Sequence, residues 1–312
     1  MADPAFTFLQ LRYFAAAAEL GSMTAAAKEL RVSQSAVSTA VAQLEKELRV
    51  QLLLRHHARG LTLTAAGQAF HRELRSFLAH SIELAESARV AGQGLVGDLT
   101  VGCFSTLAPF RLPGLLTRYE TAYPQVRVDV LEAEHAALRR ALRAGECEVA
   151  VLYGYDLGDD LDRRVIDASP PYAIVAADHR LAGRGEVALA ELAVEPMILL
   201  DLPHSGAYFE ALVARTGIRP TVRHRTTGFE TVRALVAHGR GYALLNQRPA
   251  GDATYDGRPV VVLRLRDEVE PLEIIVAWMR GVRLTHRARA FVGMAQAAYR
   301  GDAFRDGRPH RL

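Results

Sequence analysis

The sequence is poor in several things, and each shortage removes a class of function. Among 38 cationic residues in 312, only Lys28 and Lys46 are lysines, which with the Ala-rich helices reads as the mark of a GC-rich coding sequence. The formal net charge of +3 is too small to argue for nucleic acid by itself. Two cysteines, Cys103 and Cys147, make neither a disulfide framework nor a metal site. Cys147 lies in the apolar run CEVAVLY and reads as a small core residue. Cys103 ends LTVGC, where no neighbouring cation would lower a thiol pKa. No apolar run reaches the ~18 residues needed to cross a bilayer. The opening MADPAFTFLQLRYF lacks a basic segment followed by an apolar one, so no secretory signal is expected and the cytoplasm is the default compartment. Enzyme signatures are missing too: there is no G-x-S-x-G, P-loop or H-E-x-x-H. The 11 histidines are scattered, and only His56 and His57 adjoin. Hence no catalytic residue, metal or cofactor is expected.

What is present concentrates first in residues 21–49, GSMTAAAKELRVSQSAVSTAVAQLEKELR. Ser22 or Thr24 can cap a helix through Leu30, Arg31 and Val32 make a turn, and Ser33 caps a second helix from Gln34 to about Leu48. Val37, Val41, Leu44 and Leu48 fall in one stripe of that second helix. Ser35, Thr39, Ala42 and Lys46 lie opposite, with Gln34 and Ser38 on the flanks. The outer face is small and polar, suited to lie against a polyanion and bond base edges. A generic amphipathic helix would merely bury one side, but here VQLLLRHHARGLTLT follows at once. Its apolar runs, Val50 to Leu54 and Leu61 to Leu63, bracket a turn, which places Arg55, His56, His57 and Arg59 at the tip of a β-wing where cations meet phosphate. An earlier helix over 5–19 would support this unit through Leu9, Phe14 and Ala18.

The string from FTFLQLRYFAAAAELGSMTAAAKELRVSQSAVS through LEKELRVQLLLRHHARGLTLTAAG resembles the DNA-binding domain of LysR-type transcriptional regulators, and a looser resemblance continues to about residue 300. It implies a winged helix-turn-helix with a long linker helix, followed by a C-terminal α/β effector domain of two Rossmann-like subdomains similar to periplasmic binding proteins. The domains expected are 1–64 for DNA binding, 65–94 for the linker helix and hinge, and 95–300 for effector binding. The last divides into subdomain I (95–168 and 266–300) and subdomain II (169–265), with 301–312 a tail. Double-stranded promoter DNA, further copies of the chain as homodimer or homotetramer, and RNA polymerase are the implied partners. Redox-sensing members pair cysteines in the second subdomain, and this chain has none there. Pro, Arg and Gln are usual in the recognition helix where Ser35, Thr39 and Ala40 stand, so any reading by Thr39 must use its hydroxyl or methyl.

Residues in order support this organisation. Thr64 caps a helix from about Ala65 to Ala91, in which Phe70, Leu74, Phe77, Ser81, Leu84 and Ala88 follow a four–three repeat beside Leu78, Ile82 and Ala85. So broad a stripe packs on its own domain or, as the resemblance implies, on a second copy. AGQGLVGD is a glycine-rich hinge. Beyond it LTVGC, a helix over Leu107–Tyr119, VRVDVL, a helix over Ala136–Leu142 and CEVAVLY form a βαβαβ series, predicting a parallel sheet. A second series runs from Pro171 through YAIVAA, PMILLD, a helix over Ala207–Thr216, PTVRHRT, a helix over Glu230–Ala237 and YALLN. VVVLRL, LEIIVAW and a helix from about Thr285 to Tyr299 close the chain.

In open α/β sheets ligands sit beyond the carboxyl ends of strands, near helix N-termini. The positions so selected are Ser105, Thr106, His135 and Tyr153 in the first series, and His204, Ser205, Thr227, Phe229 and Asn246 in the second. Hydroxyls at helix starts suit a small-molecule effector that is a carboxylate or other small anion, although each alone could be an ordinary N-cap. The alternative function is a small-molecule-binding protein or enzyme whose helical N-terminus is an oligomerisation module. That reading predicts no sequence-specific DNA affinity and no steep salt dependence.

Overall fold

The computed structural model describes residues 6–56, 60–89, 95–155, 157–203 and 205–299. The chain divides into two compact units, residues 1–97 with the short segments 143–146 and 281–287, and the remainder.

In the first unit Thr7 opens α1 (Phe8–Leu20) by a reciprocal pair of bonds with Gln10, and Gly21 ends it with φ 58°. Ser22 Oγ accepts from Ala25 N to start α2 (Met23–Leu30), and Ser33 Oγ accepts from Ala36 N to start α3 (Gln34–Leu48). Phe14, Ala17, Ala26, Val37, Val41 and Leu44 are wholly buried where the three helices meet. At about 1.5–3 kcal/mol for each large side chain taken out of water, this cluster is what holds three short helices together. Leu9 departs from expectation. It is 51% exposed, because at about 100° per residue it lies roughly 140° around α1 from Phe14.

The wing pairs β1 (Leu53–His56) antiparallel with β2 (Gly60–Leu63), Leu53 opposite Leu63. The first strand starts at Leu53 and not at Val50, because the N–H groups of Leu52 and Leu53 go to the Glu45 carboxylate, at 2.7 and 2.9 Å. Thr64 Oγ1 accepts from Gly67 N at 2.9 Å and starts α4 (Ala65–Arg89).

The second unit holds two sheets. Its chain runs β3 (Gly97–Phe104), α5 (Ala108–Ala122), β4 (Val126–Ala133), α6 (His135–Ala144), β5 (Val149–Tyr153) and β6 (Leu161–Ser169). It then continues through β7 (Tyr172–Ala176), β8 (Glu186–Val187), α7 (Leu189–Ala193), β9 (Met197–Leu200), α8 (Ser205–Ala214) and β10 (Val222–Thr226). Last come α9 (Phe229–Ala237), β11 (Ala243–Leu245), β12 (Val260–Leu265), β13 (Leu272–Met279) and α10 (His286–Tyr299). The first sheet has the order β4-β3-β5-β13-β6. The second is β11-β7-β12-β8, and the parallel pair β9–β10 joins it by a bridge from Met197 to Tyr242.

The all-parallel expectation needs correction. β3 and β5 are parallel, but β13 returns from the second sheet and runs antiparallel to both β5 and β6. β6 escapes the sequence pattern because it is an edge strand whose Arg163, Arg164 and Val165 face solvent, leaving LDRRVIDAS without an apolar run. The chain crosses from the first sheet to the second between Ser169 and Tyr172, and back between Leu265 and Leu272.

Candidate functional site

On α3 the structure separates two faces cleanly. Val37, Val41 and Leu44 are at 0% exposure, while Gln34, Ser35, Thr39, Ala42 and Lys46 are exposed and Ser38 is half-buried. Glu45, the carboxylate nearest this face in sequence, is turned to the start of the wing by its bonds to Leu52 and Leu53. Sequence spacing offers no signal for that role, since the acceptor and its donors are seven and eight residues apart. Arg55 and His56 belong to β1, opposite Leu61 and Gly60, and so do not occupy the turn where the sequence placed them. Leu61 N also bonds Gly21 O at 2.9 Å, which ties the wing to the end of α1. Arg59 lies outside the described residues.

In the second unit a recess, partly open to solvent, lies between the ends of the two sheets. Five of the anticipated residues line it: Thr106 after β3, Tyr153 at the end of β5, Ser205 at the start of α8, Phe229 at the start of α9 and Asn246 after β11. Ser105 and Thr227 do not. His135 is turned into the core, edge-on to Phe104 at 5.0 Å and stacked on Tyr155 at 4.8 Å. It is the first residue of α6, and Tyr155, on which it stacks, follows β5. His204 lies outside the described residues. Leu200, Tyr208, Phe209, Gln247 and Leu272 complete the lining. Of these, Tyr208 and Phe209 follow from helix geometry, since they fall about one turn beyond Ser205.

A buried hydrogen-bond network floors the recess. Gln247 Nε2 donates to Tyr153 Oη at 3.2 Å and to Ser169 Oγ at 2.8 Å. Ser169 Oγ donates to Asn246 O at 2.6 Å, and Asn246 Nδ2 donates back to Ser169 O at 3.0 Å. Ser169 is where the chain leaves the first sheet, so this network joins the recess to a crossing between sheets. Burial pushes the Tyr153 phenol above its ordinary pKa despite bonds from Thr106 and Gln247. Tyr208 is also raised by burial, against the effect of Asn246. Cys103 is free and buried, and burial, with Glu132 behind it, drives its thiol upward and away from the reactive thiolate. Among the described residues no cluster of His, Cys, Asp and Glu could hold a metal ion.

Residues 8–68 match the family of bacterial regulatory helix-turn-helix proteins of lysR type, and residues 92–300 match the LysR substrate binding domain. The chain belongs to the LysR family of transcriptional regulators. It is a ligand-responsive, DNA-binding LysR-type regulator, with a helix-turn-helix unit and an α/β unit that carries the recess. Relatives of this LysR-type chain include the uncharacterized HTH-type transcriptional regulator YnfL of Escherichia coli, 32% identical over 75% of this chain and 80% of its own. HinK, a LysR family transcriptional regulator from Pseudomonas aeruginosa, superposes with a TM-score of 0.64 at 34% identity, over 94% of this chain and 98% of its own. Full-length CbnR, solved in complex with its target DNA, gives a TM-score of 0.56 at 26% identity, over 94% of this chain and the whole of its own.

Proposed function

We propose that this regulator reads promoter DNA with the polar face of α3 and is switched by a small molecule in the recess. Gln34, Ser35, Ser38 and Thr39 then face base edges, and Lys46, Arg55, His56 and Arg59 face phosphates. Residues 1–64 act as the DNA-binding domain, 65–94 as the pairing helix and hinge, and 95–300 as the effector domain. Thr106, Tyr153, Ser205, Phe229 and Asn246 contact the effector. The observation that carries the DNA reading is the exposed, uncharged first half of α3 standing opposite a fully buried aliphatic side. A helix that only completed a bundle would have no need of so small and smooth an outer surface.

Effector occupancy shifts the balance between two arrangements of a dimer or tetramer, and so alters promoter bending and contact with RNA polymerase. The regulator works in the cytoplasm without catalysis of its own; among the described residues no helix is long and apolar enough to cross a membrane. Pairing of two recognition units implies half-sites about one helical turn, or a multiple of it, apart.

Fluorescence anisotropy with the protein's own upstream DNA and with scrambled DNA tests the assignment. Ser38→Ala and Thr39→Ala should each reduce operator affinity by about 1–3 kcal/mol while leaving scrambled DNA little changed. Equal losses on both DNAs would remove these residues from base reading.

A further inference from the structure

The walls of the recess also restrict what it can hold, given that the recess is the effector site. We propose that the effector is an uncharged, compact ring compound bearing hydroxyl or N–H groups, and not a carboxylate or other small anion.

Among the described residues, no side chain lining the recess is a cation or an anion. Arg111, which acts electrostatically on Tyr153, is bound to Asp167 at 2.8 Å and covered by the Tyr299 ring at 5.2 Å. An anion here would have to rely on helix N-termini alone, and each of the three around the recess is poorly fitted for that. Pro109, the second residue of α5, has no N–H to give. At α8 the Asp201 carboxylate already lies against Gly206, so close that a Cβ there would collide with it. In the first turn of α9 Glu230 supplies a carboxylate of its own, bonded to Arg233 at 3.0 Å and to Tyr255 N at 2.7 Å. The positive ends that would attract an anion are therefore short of donors or already faced by acids.

The polar groups of the floor point the same way. Both hydrogens of Gln247 Nε2 are engaged, one by Tyr153 and one by Ser169, so the amide has only its oxygen left to offer. One hydrogen of Asn246 Nδ2 goes to Ser169 O. The Gln247 oxygen repels a carboxylate and receives an O–H or N–H, while the Thr106, Ser205 and Tyr208 hydroxyls can donate or accept. Tyr208, Phe209 and Phe229 provide the aromatic surface for a ring. A buried anion in such walls would lack a counter-charge, which is costly.

Benzamide and benzoate share one shape and differ in charge, so titration calorimetry of both into the full-length protein makes the comparison. Benzamide should bind at least about tenfold more tightly than benzoate, and Ser205→Trp, which fills the recess, should abolish it. Leu272→Arg, at the half-buried edge of the lining, should reverse the order. Benzoate binding as tightly as benzamide to the unaltered chain, and blocked by Ser205→Trp, would overturn the inference while leaving the recess as the ligand site. Benzamide binding untouched by Ser205→Trp would remove the recess itself. Failure of benzamide, phenol and benzyl alcohol alike to bind at millimolar concentration would also overturn it.

Discussion

A single imidazole shows how burial converts into pH dependence. His71 of α4 is buried against Phe14, with ring centroids 6.2 Å apart. Burial, reinforced by the Arg75 charge, pulls its pKa from 6.5 down to about 4. Glu19 stands 3.8 Å away but is 44% exposed and lies nearer Arg75, at 3.4 Å, so it does not offset the desolvation. Between those two pKa values the unfolded chain binds a proton that the folded one refuses. Stability is thus complete above pH 6.5 and declines as pH falls toward about 4, by at most about 3 kcal/mol. Urea titrations of the chain at pH 7 and pH 5 should show that loss, and His71→Phe should flatten it. A midpoint in the variant that moves with pH as in the parent would reject His71 as the cause. The residue string around His71 shows only Arg75; the burial, the larger cause, comes from α1, more than fifty residues earlier.

At the scale of elements, Glu45 and α4 carry the tests. The Glu45 carboxylate fixes where the wing begins, by accepting two backbone N–H groups. Glu45→Ala leaves those donors unpaired and should cost about 1.5–3 kcal/mol of stability. It should also lower affinity for any DNA, operator or scrambled, since the wing loses its anchor; thermal melts and anisotropy read the two effects. A variant as stable as the parent would show the anchor to be dispensable. The wing's other constraint is steric. Gly60 takes φ 77°, and a Cβ there would stand 2.6 Å from Gly21 O, so glycine is required at position 60, where the strand meets the helix end. On α4 the apolar stripe divides in two. Phe70 and Leu74 pack into their own unit, with Phe70 5.5 Å from Phe14. Phe77, Ile82 and Leu84 remain 53%, 54% and 74% exposed. If pairing through this half assembles the regulator, Leu84→Glu should weaken self-association by about tenfold or more, because it places a charge in an apolar seam. Light scattering across a dilution series measures this, and an unchanged mass would place the contact elsewhere.

Across the whole molecule, legibility followed the range of the interactions. The caps Ser22, Ser33 and Thr64, the two faces of α3 and nearly every strand of the α/β unit were written in local pattern, since a helix stripe or an apolar strand is a property of a few consecutive residues. The recess was legible in half. Positions after strands and before helices located Thr106, Tyr153, Ser205, Phe229 and Asn246, but gave no way to see that His135 turns inward or that Gln247 is bonded to both Tyr153 and Ser169. By itself the sequence determined the order of elements, the helix-turn-helix with its outward polar face, and the family. Only the tertiary structure decided that β13 enters the first sheet antiparallel, that the charged stretch LDRRVIDAS is its edge strand, and that the described residues of the recess walls are neutral. Those outcomes depend on contacts between residues tens to more than a hundred positions apart, where hydrogen-bond pairing and ion pairing, not local periodicity, select the partner.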